Sequence, residues 1–135
     1  MTAAQNELHD RVAGYLVEAF GELVKHAPGE PAFYVPLGRI GVRVEIEAVG
    51  AQNAIVECYC WIAQKVTVDD QVAALLARRN AGMRFCSLCV DAEGAIILRH
   101  ALFAETVTEP ILARLITLIA SAADELDKEL RNQFA

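Results

Sequence analysis

Basic residues are scarce in this chain, and they are scattered. Lys and Arg total 12 against 18 Asp and Glu, a net charge of −6 over 135 residues. Nucleic-acid backbones are held by grouped cations that displace counterions, so nucleic acid is excluded as an expected partner. Long apolar runs are lacking too. The longest fall well short of the ~20 residues that span a bilayer, so no membrane insertion is expected, and the opening Met-Thr-Ala-Ala-Gln-Asn-Glu lacks the charged-then-apolar order of a signal segment. A cytoplasmic location is the expectation, and the 4 cysteines then read as reduced thiols. Neither a Gly-x-x-x-x-Gly-Lys-Ser/Thr loop nor a Gly-x-Gly-x-x-Gly fingerprint is present, so no cofactor is expected. Asp69-Asp70 and Asp124-Glu125 lack the spacing of a calcium loop. His9, His26 and His100 sit in no recognisable catalytic pattern.

What the chain has in quantity is apolar residues, 55% of the total against 22% charged, with a mean hydropathy of +0.31. One domain spanning residues 1–135 fits this length, since a chain of this size buries roughly two-thirds of its unfolded surface without metal or disulfide support. The apolar surplus predicts either a generous core or a surface covered by a partner.

Periodicity divides the chain into eight elements. Leu8, Val12, Leu16, Phe20 and Leu23 recur at helical spacing from about Ala4 to Lys25, and His26-Ala27-Pro28-Gly29-Glu30-Pro31 ends that helix. A short strand at Ala32–Val35 and a turn at Pro36-Leu37-Gly38 follow. Ile40, Val42, Val44 and Ile46 then alternate with Gly41, Arg43, Glu45 and Glu47, the pattern of a half-buried antiparallel strand. After Gly50-Ala51-Gln52-Asn53 a third strand returns over Ala54–Ile62. Thr67-Val68-Asp69-Asp70 opens a short helix that Asn80-Ala81-Gly82 closes. A hairpin comes next, with strands at about Met83–Val90 and Ala95–Phe103 around the turn Asp91-Ala92-Glu93-Gly94. The last helix runs from about Glu109 to Arg131, capped by Thr106 or Thr108, and its first half is apolar over most of its circumference. The order α-β-β-β-α-β-β-α predicts an α+β fold with helices on a five-stranded antiparallel sheet.

Leu75-Leu76-Ala77-Arg78-Arg79-Asn80, the run Met83 to Gly94, Leu98, Thr108-Glu109 and Ala122-Ala123-Asp124-Glu125-Leu126 carry a resemblance. In these residues, and in element order, the chain resembles the YbjN-like family of bacterial sensory-transduction regulators, itself similar to type III secretion chaperones. The resemblance implies a small non-enzymatic protein, often dimeric, that binds other polypeptides or regulates them. Cys86 and Cys89 depart from the family pattern.

Cys58-Tyr59-Cys60 and Cys86-Ser87-Leu88-Cys89 also invite a zinc reading. Alternation opposes it: Cys58 and Cys60 share a strand face, whereas Cys86 and Cys89 point to opposite faces unless a bulge intervenes. If Ile40, Val42, Val44 and Ile46 face the helices, Arg43, Glu45 and Glu47 mark the outer face of the sheet. The same phase places Tyr59, Trp61, Arg84, Cys86, Leu88, Ile97, Arg99, Ala101 and Phe103 outward. A one-residue register difference, a bulge or cover by the last helix would undo that assignment. So apolar an outer face predicts cover by a second subunit or a bound polypeptide. The expected function is a homodimeric protein-binding module, chaperone-like or regulatory. Its contact residues are Tyr59, Trp61, Leu75, Arg79, Leu88 and Phe103, used in strand addition or groove docking. The alternatives are a metal-binding or hydrolytic protein built on the cysteines and His100, or a structural subunit of a larger complex.

Overall fold

The computed structural model describes residues 1–134, with side chains through Leu130. Among these residues lie helices α1 (Ala3–Phe20), α2 (Asp70–Gly82) and α3 (Glu109–Phe134). The strands are β1 (Lys25–His26), β2 (Ala32–Leu37), β3 (Ile40–Val49), β4 (Asn53–Ala63), β5 (Ser87–Val90) and β6 (Ile96–Phe103). They form one antiparallel sheet in the order β1-β2-β3-β4-β6-β5. The α+β class stands, but the sheet has six strands rather than five.

The sixth strand is β1, which pairs Lys25 with Tyr34 and His26 with Phe33. Two residues carry no readable period, and Pro28 and Gly29 just beyond them mask the pairing. The strand exists because α1 ends earlier than its apolar spacing suggests. Gly21 takes φ +58, its N–H donates to the Val17 carbonyl, and one 3-10 turn redirects the chain. At its start α1 has a capping box: Thr2 Oγ accepts from the Gln5 N–H at 3.1 Å, and Gln5 Oε1 accepts from the Thr2 N–H at 2.9 Å. The same Gln5 amide donates to the Ile46 carbonyl at 3.2 Å and fixes the helix start against β3.

The inner sheet face carries Val42, Val44, Ile46, Val56, Cys58, Cys60, Ile96 and Leu98, all buried. Leu8, Val12 and Leu16 of α1 pack on it, as do Leu112, Ile116, Ile119 and Ala123 of α3. Thr108 caps α3 by accepting from the Ile111 N–H at 3.4 Å, while Thr106 turns its hydroxyl to the Phe103 carbonyl. Asp69 caps α2, its Oδ1 accepting from the Val72 N–H at 2.9 Å. That helix lies beside β5 and buries only Leu76.

The hairpin differs from expectation in phase. Its loop is Asp91–Ala95, one residue longer than a four-residue turn, because Val90 pairs with Ile96 and the Asp91 N–H donates to the Ala95 carbonyl. Asp91 Oδ1 accepts from the N–H groups of Glu93 and Ala95, which builds the longer turn from its own side chain. One extra loop residue turns the first strand over. Leu88 therefore pairs with Leu98 on the inner face and is only 4% exposed. Cys86, ahead of the strand with φ +64, also packs against the core rather than outward.

Candidate functional site

The helices pack on the inner side or at the β5 edge, and the outer sheet face is open to solvent over most of its extent, Ile97 being its buried residue. Its register builds a transverse row. Lys25 is opposite Tyr34, Tyr34 opposite Arg43, Arg43 opposite Tyr59, Tyr59 opposite Arg99, and Arg99 opposite Ser87. Residues directly opposite share a face, so basic and aromatic side chains alternate from β1 to β6, and the row ends at Ser87 on β5. On one side of this row, Trp61 lies opposite Ile97, and Ile97 opposite Cys89. On the other side comes an acidic step in which Glu45 faces Glu57, then Glu47, Ile55 and Phe103 in line.

Tyr59 and Trp61 form an edge-to-face pair with ring centroids 5.3 Å apart and planes at 71°. Burial and the nearby Glu45 carboxylate push the Tyr59 phenol up to about 12, so it stays a neutral hydroxyl. The Arg43 guanidinium is held charged by Glu30 and Glu45, and Arg99 lies 3.7 Å from Glu57. The cations are thus largely neutralised in place. What the face offers a partner is flat aromatic area with short-range hydrogen-bonding groups. Phe103 is 63% exposed on the same face, four residues along the strand from the level of Tyr59, or about 13 Å.

Of the six residues singled out from sequence, Tyr59, Trp61 and Phe103 share this surface. Leu75 is half-buried on α2, and Arg79 ties α2 to α3 through a 2.7 Å contact with Glu129. Leu88 is core. Sequence reasoning missed Tyr34 and the row it belongs to, because cross-strand register is not written in any one strand. It also missed Asn80. This residue was read as a helix stop, yet it lies within α2 and reaches the sheet edge: its amide donates to the Leu88 carbonyl at 2.9 Å and accepts from the Leu88 N–H at 2.7 Å. Asn80 thereby occupies the outward-facing peptide groups of edge strand β5.

The cysteines make no disulfide. Burial raises all four thiols, with Cys60 pushed up to about 12 and Cys58 higher still, far from the thiolate range that nucleophilic chemistry needs. His100 Nδ1 accepts from the Cys86 backbone N–H at 3.4 Å. Among the described residues no group of three or more His, Cys, Asp or Glu is arranged to hold a metal, and no helix is long and apolar enough to cross a membrane.

A search of curated proteins finds no match. A solved structure, the Yersinia pestis type III secretion chaperone SycH in complex with a stable fragment of YscM2, is similar in fold, with a TM-score of 0.63 at 13% identity. The likeness covers 88% of this chain and 98% of SycH. The family model for T3SS (YopN, CesT) and YbjN peptide-binding chaperone 1 matches residues 6–135. With nearly its whole length matched, the chain belongs to this family of type III secretion and YbjN peptide-binding chaperones.

Proposed function

We propose that the protein is a non-enzymatic, cytoplasmic peptide-binding chaperone, acting as a homodimer, that holds apolar segments of a partner polypeptide against its open sheet face. The observation that carries this reading is the uncovered Tyr59–Trp61 pair, set in a transverse row of aromatic and basic side chains on a sheet whose other face is fully packed. Aromatic area of this kind supplies anchoring contact at low entropic cost. Phe103 extends the surface along β6, and Leu75 and Arg79 on α2 form its second, smaller part. Raised thiols make cysteine nucleophiles poor, which supports binding over hydrolysis, and free buried cysteines suit a reducing compartment.

The chain contains 1 tryptophan, and it stands on this face at 40% exposure. Its fluorescence is therefore a built-in reporter. Titration with a panel of unlabelled extended peptides bearing alternating apolar residues should shift Trp61 emission to the blue for those that bind, and Tyr59→Ala or Phe103→Ser should weaken the same peptides. Binding detected by calorimetry with no change in Trp61 emission would place the peptide elsewhere. Light scattering on the purified chain tests the dimer, and a monomer at all concentrations refutes that part.

A further inference from the structure

At the opposite edge of the sheet, two histidines far apart in sequence meet. His9 projects from the middle of α1 and His26 from β1, and their Nε2 atoms lie 3.3 Å apart. Both rings are held by Phe33: His9 stacks on it with centroids 4.8 Å apart, and His26 meets it edge-on at 5.2 Å. The imidazole planes cross at 89°. Their orientations are thus set by packing before any ligand arrives.

We propose that His9 and His26 form a two-imidazole clip for a first-row divalent cation, with Zn2+ or Cu2+ as the fitting class. A zinc–imidazole bond of about 2.05 Å at a tetrahedral angle places two ligand nitrogens about 3.3 Å apart, which is the separation present here. Imidazole nitrogen suits zinc and copper, whereas magnesium and calcium prefer oxygen. The Asp10 carboxylate lies 3.7 Å from His9 Nδ1, on the far side of the ring from Nε2. There it favours the Nδ1–H tautomer and leaves the His9 Nε2 lone pair free. Without metal, one of the two Nε2 atoms carries the proton of this contact, and the placement of Asp10 assigns it to His26. On metal binding the His26 proton moves through solvent to its own Nδ1, so both Nε2 atoms become ligands with no net proton released. Solvent completes the coordination, as His26 is exposed and the described residues bring no third ligand of this kind.

The clip has a structural consequence. β1 is held to the sheet by two residue pairs, and a shared metal fastens it to α1 as well. Occupancy therefore closes the edge beside β2.

The experiment titrates the reduced full-length protein with ZnCl2, CuCl2 and, as control, MgCl2 at about pH 7.5. Calorimetry and the imidazole proton resonances are followed together. The expected result is one equivalent of zinc or copper and none of magnesium, with the resonances of His9 and His26 shifted, those of His100 unmoved, and slower exchange of the β1 amides. His9→Gln and His26→Gln should each abolish saturable binding. Because His9 packs on Phe33 and its replacement can disturb folding, the exposed His26→Gln variant is the deciding one. Binding that survives in His26→Gln, equal perturbation of His100, or no saturable uptake of either metal each overturns the proposal.

Discussion

Replacing Glu47 by glutamine removes one of three carboxylates packed on the outer sheet face. Glu45 lies directly opposite Glu57, and Glu47 is one step along β3 on the same side. Partial burial first, and then the Glu57 and Glu45 charges, push Glu47 up to about 7. A group whose folded pKa is raised in this way holds a proton that the unfolded chain has already released. Its contribution to stability is therefore greatest at low pH and declines as pH rises from the ordinary glutamate value of about 4.3 to about 7. A tenfold change in proton affinity is worth about 1.4 kcal/mol, so an unscreened effect of this size would reach roughly 3.5 kcal/mol. The side chain is partly open to solvent, and screening brings the expected penalty down to about 1 kcal/mol. For a domain of this length that corresponds to about 4 °C in Tm.

Thermal unfolding followed by circular dichroism at about pH 3.5 and about pH 8, below and above the window of the shift, gives the comparison. At the lower pH the two proteins should melt together, because protonated Glu47 is nearly isosteric with glutamine. At the higher pH Glu47→Gln should be the more stable. Added salt should narrow the gap only in part, since screening acts on the like-charge repulsion and leaves the burial cost in place. A gap that is constant with pH, or a variant less stable than wild type at the higher pH, refutes the reasoning.

Three further outcomes follow from packing. Ile116 is fully buried between α3 and the sheet, so Ile116→Ala should cost about 2–5 kcal/mol in denaturant unfolding without changing its slope. A Cβ built on Gly41 would lie 1.7 Å from the Tyr34 hydroxyl oxygen, so Gly41→Ala should displace the Tyr34 ring from the outer face. The loss of stability should stay below about 1 kcal/mol, because the ring is free to swing into solvent and alanine restricts the unfolded chain; an unmoved Tyr34 ring resonance would contradict this. Asn80→Ala removes both bonds to the Leu88 peptide groups and should cost about 1–3 kcal/mol, read by denaturant unfolding and by faster hydrogen exchange at the Leu88 amide.

Alternation in β3 and β4 was legible because each strand has one face against helices and one against water. Val42, Val44 and Ile46 declare the phase without help from neighbours. The hairpin could not be read this way. Its strands carry apolar residues on both faces, so phase depended on the loop, and the Asp91 side chain builds a loop one residue longer than the Asp-x-x-Gly spacing suggests. That single residue moved Leu88 from the expected contact surface into the core while leaving Phe103 outside. Tyr59 and Trp61 were found from their own strand's alternation, whereas the basic and aromatic row around them needs the register of every strand. Asn80 and the His9–His26 contact were illegible for a different reason: each is a side-chain meeting across distant elements, with no periodic trace in either.

Asn80 also separates two ways in which this sheet could hold a peptide. Strand addition requires outward-facing N–H and C=O groups on an edge, and at the middle of β5 both are already taken by the Asn80 amide. The other edge offers the two residues of β1 and the stretch of β2 beyond them, where Pro36 has no N–H to give. Docking across the outer face needs no edge and leaves Asn80 in place. The two modes therefore respond oppositely to one substitution. In Asn80→Ala, a peptide that lies across Tyr59 and Trp61 should bind as it does to wild type. A peptide that adds to β5 should bind more tightly, because no side chain has to leave first, and its own amides should become protected from exchange. Stronger binding in Asn80→Ala, accompanied by protection of the Leu88 amide and no change in Trp61 emission, would move the peptide from the face to the edge.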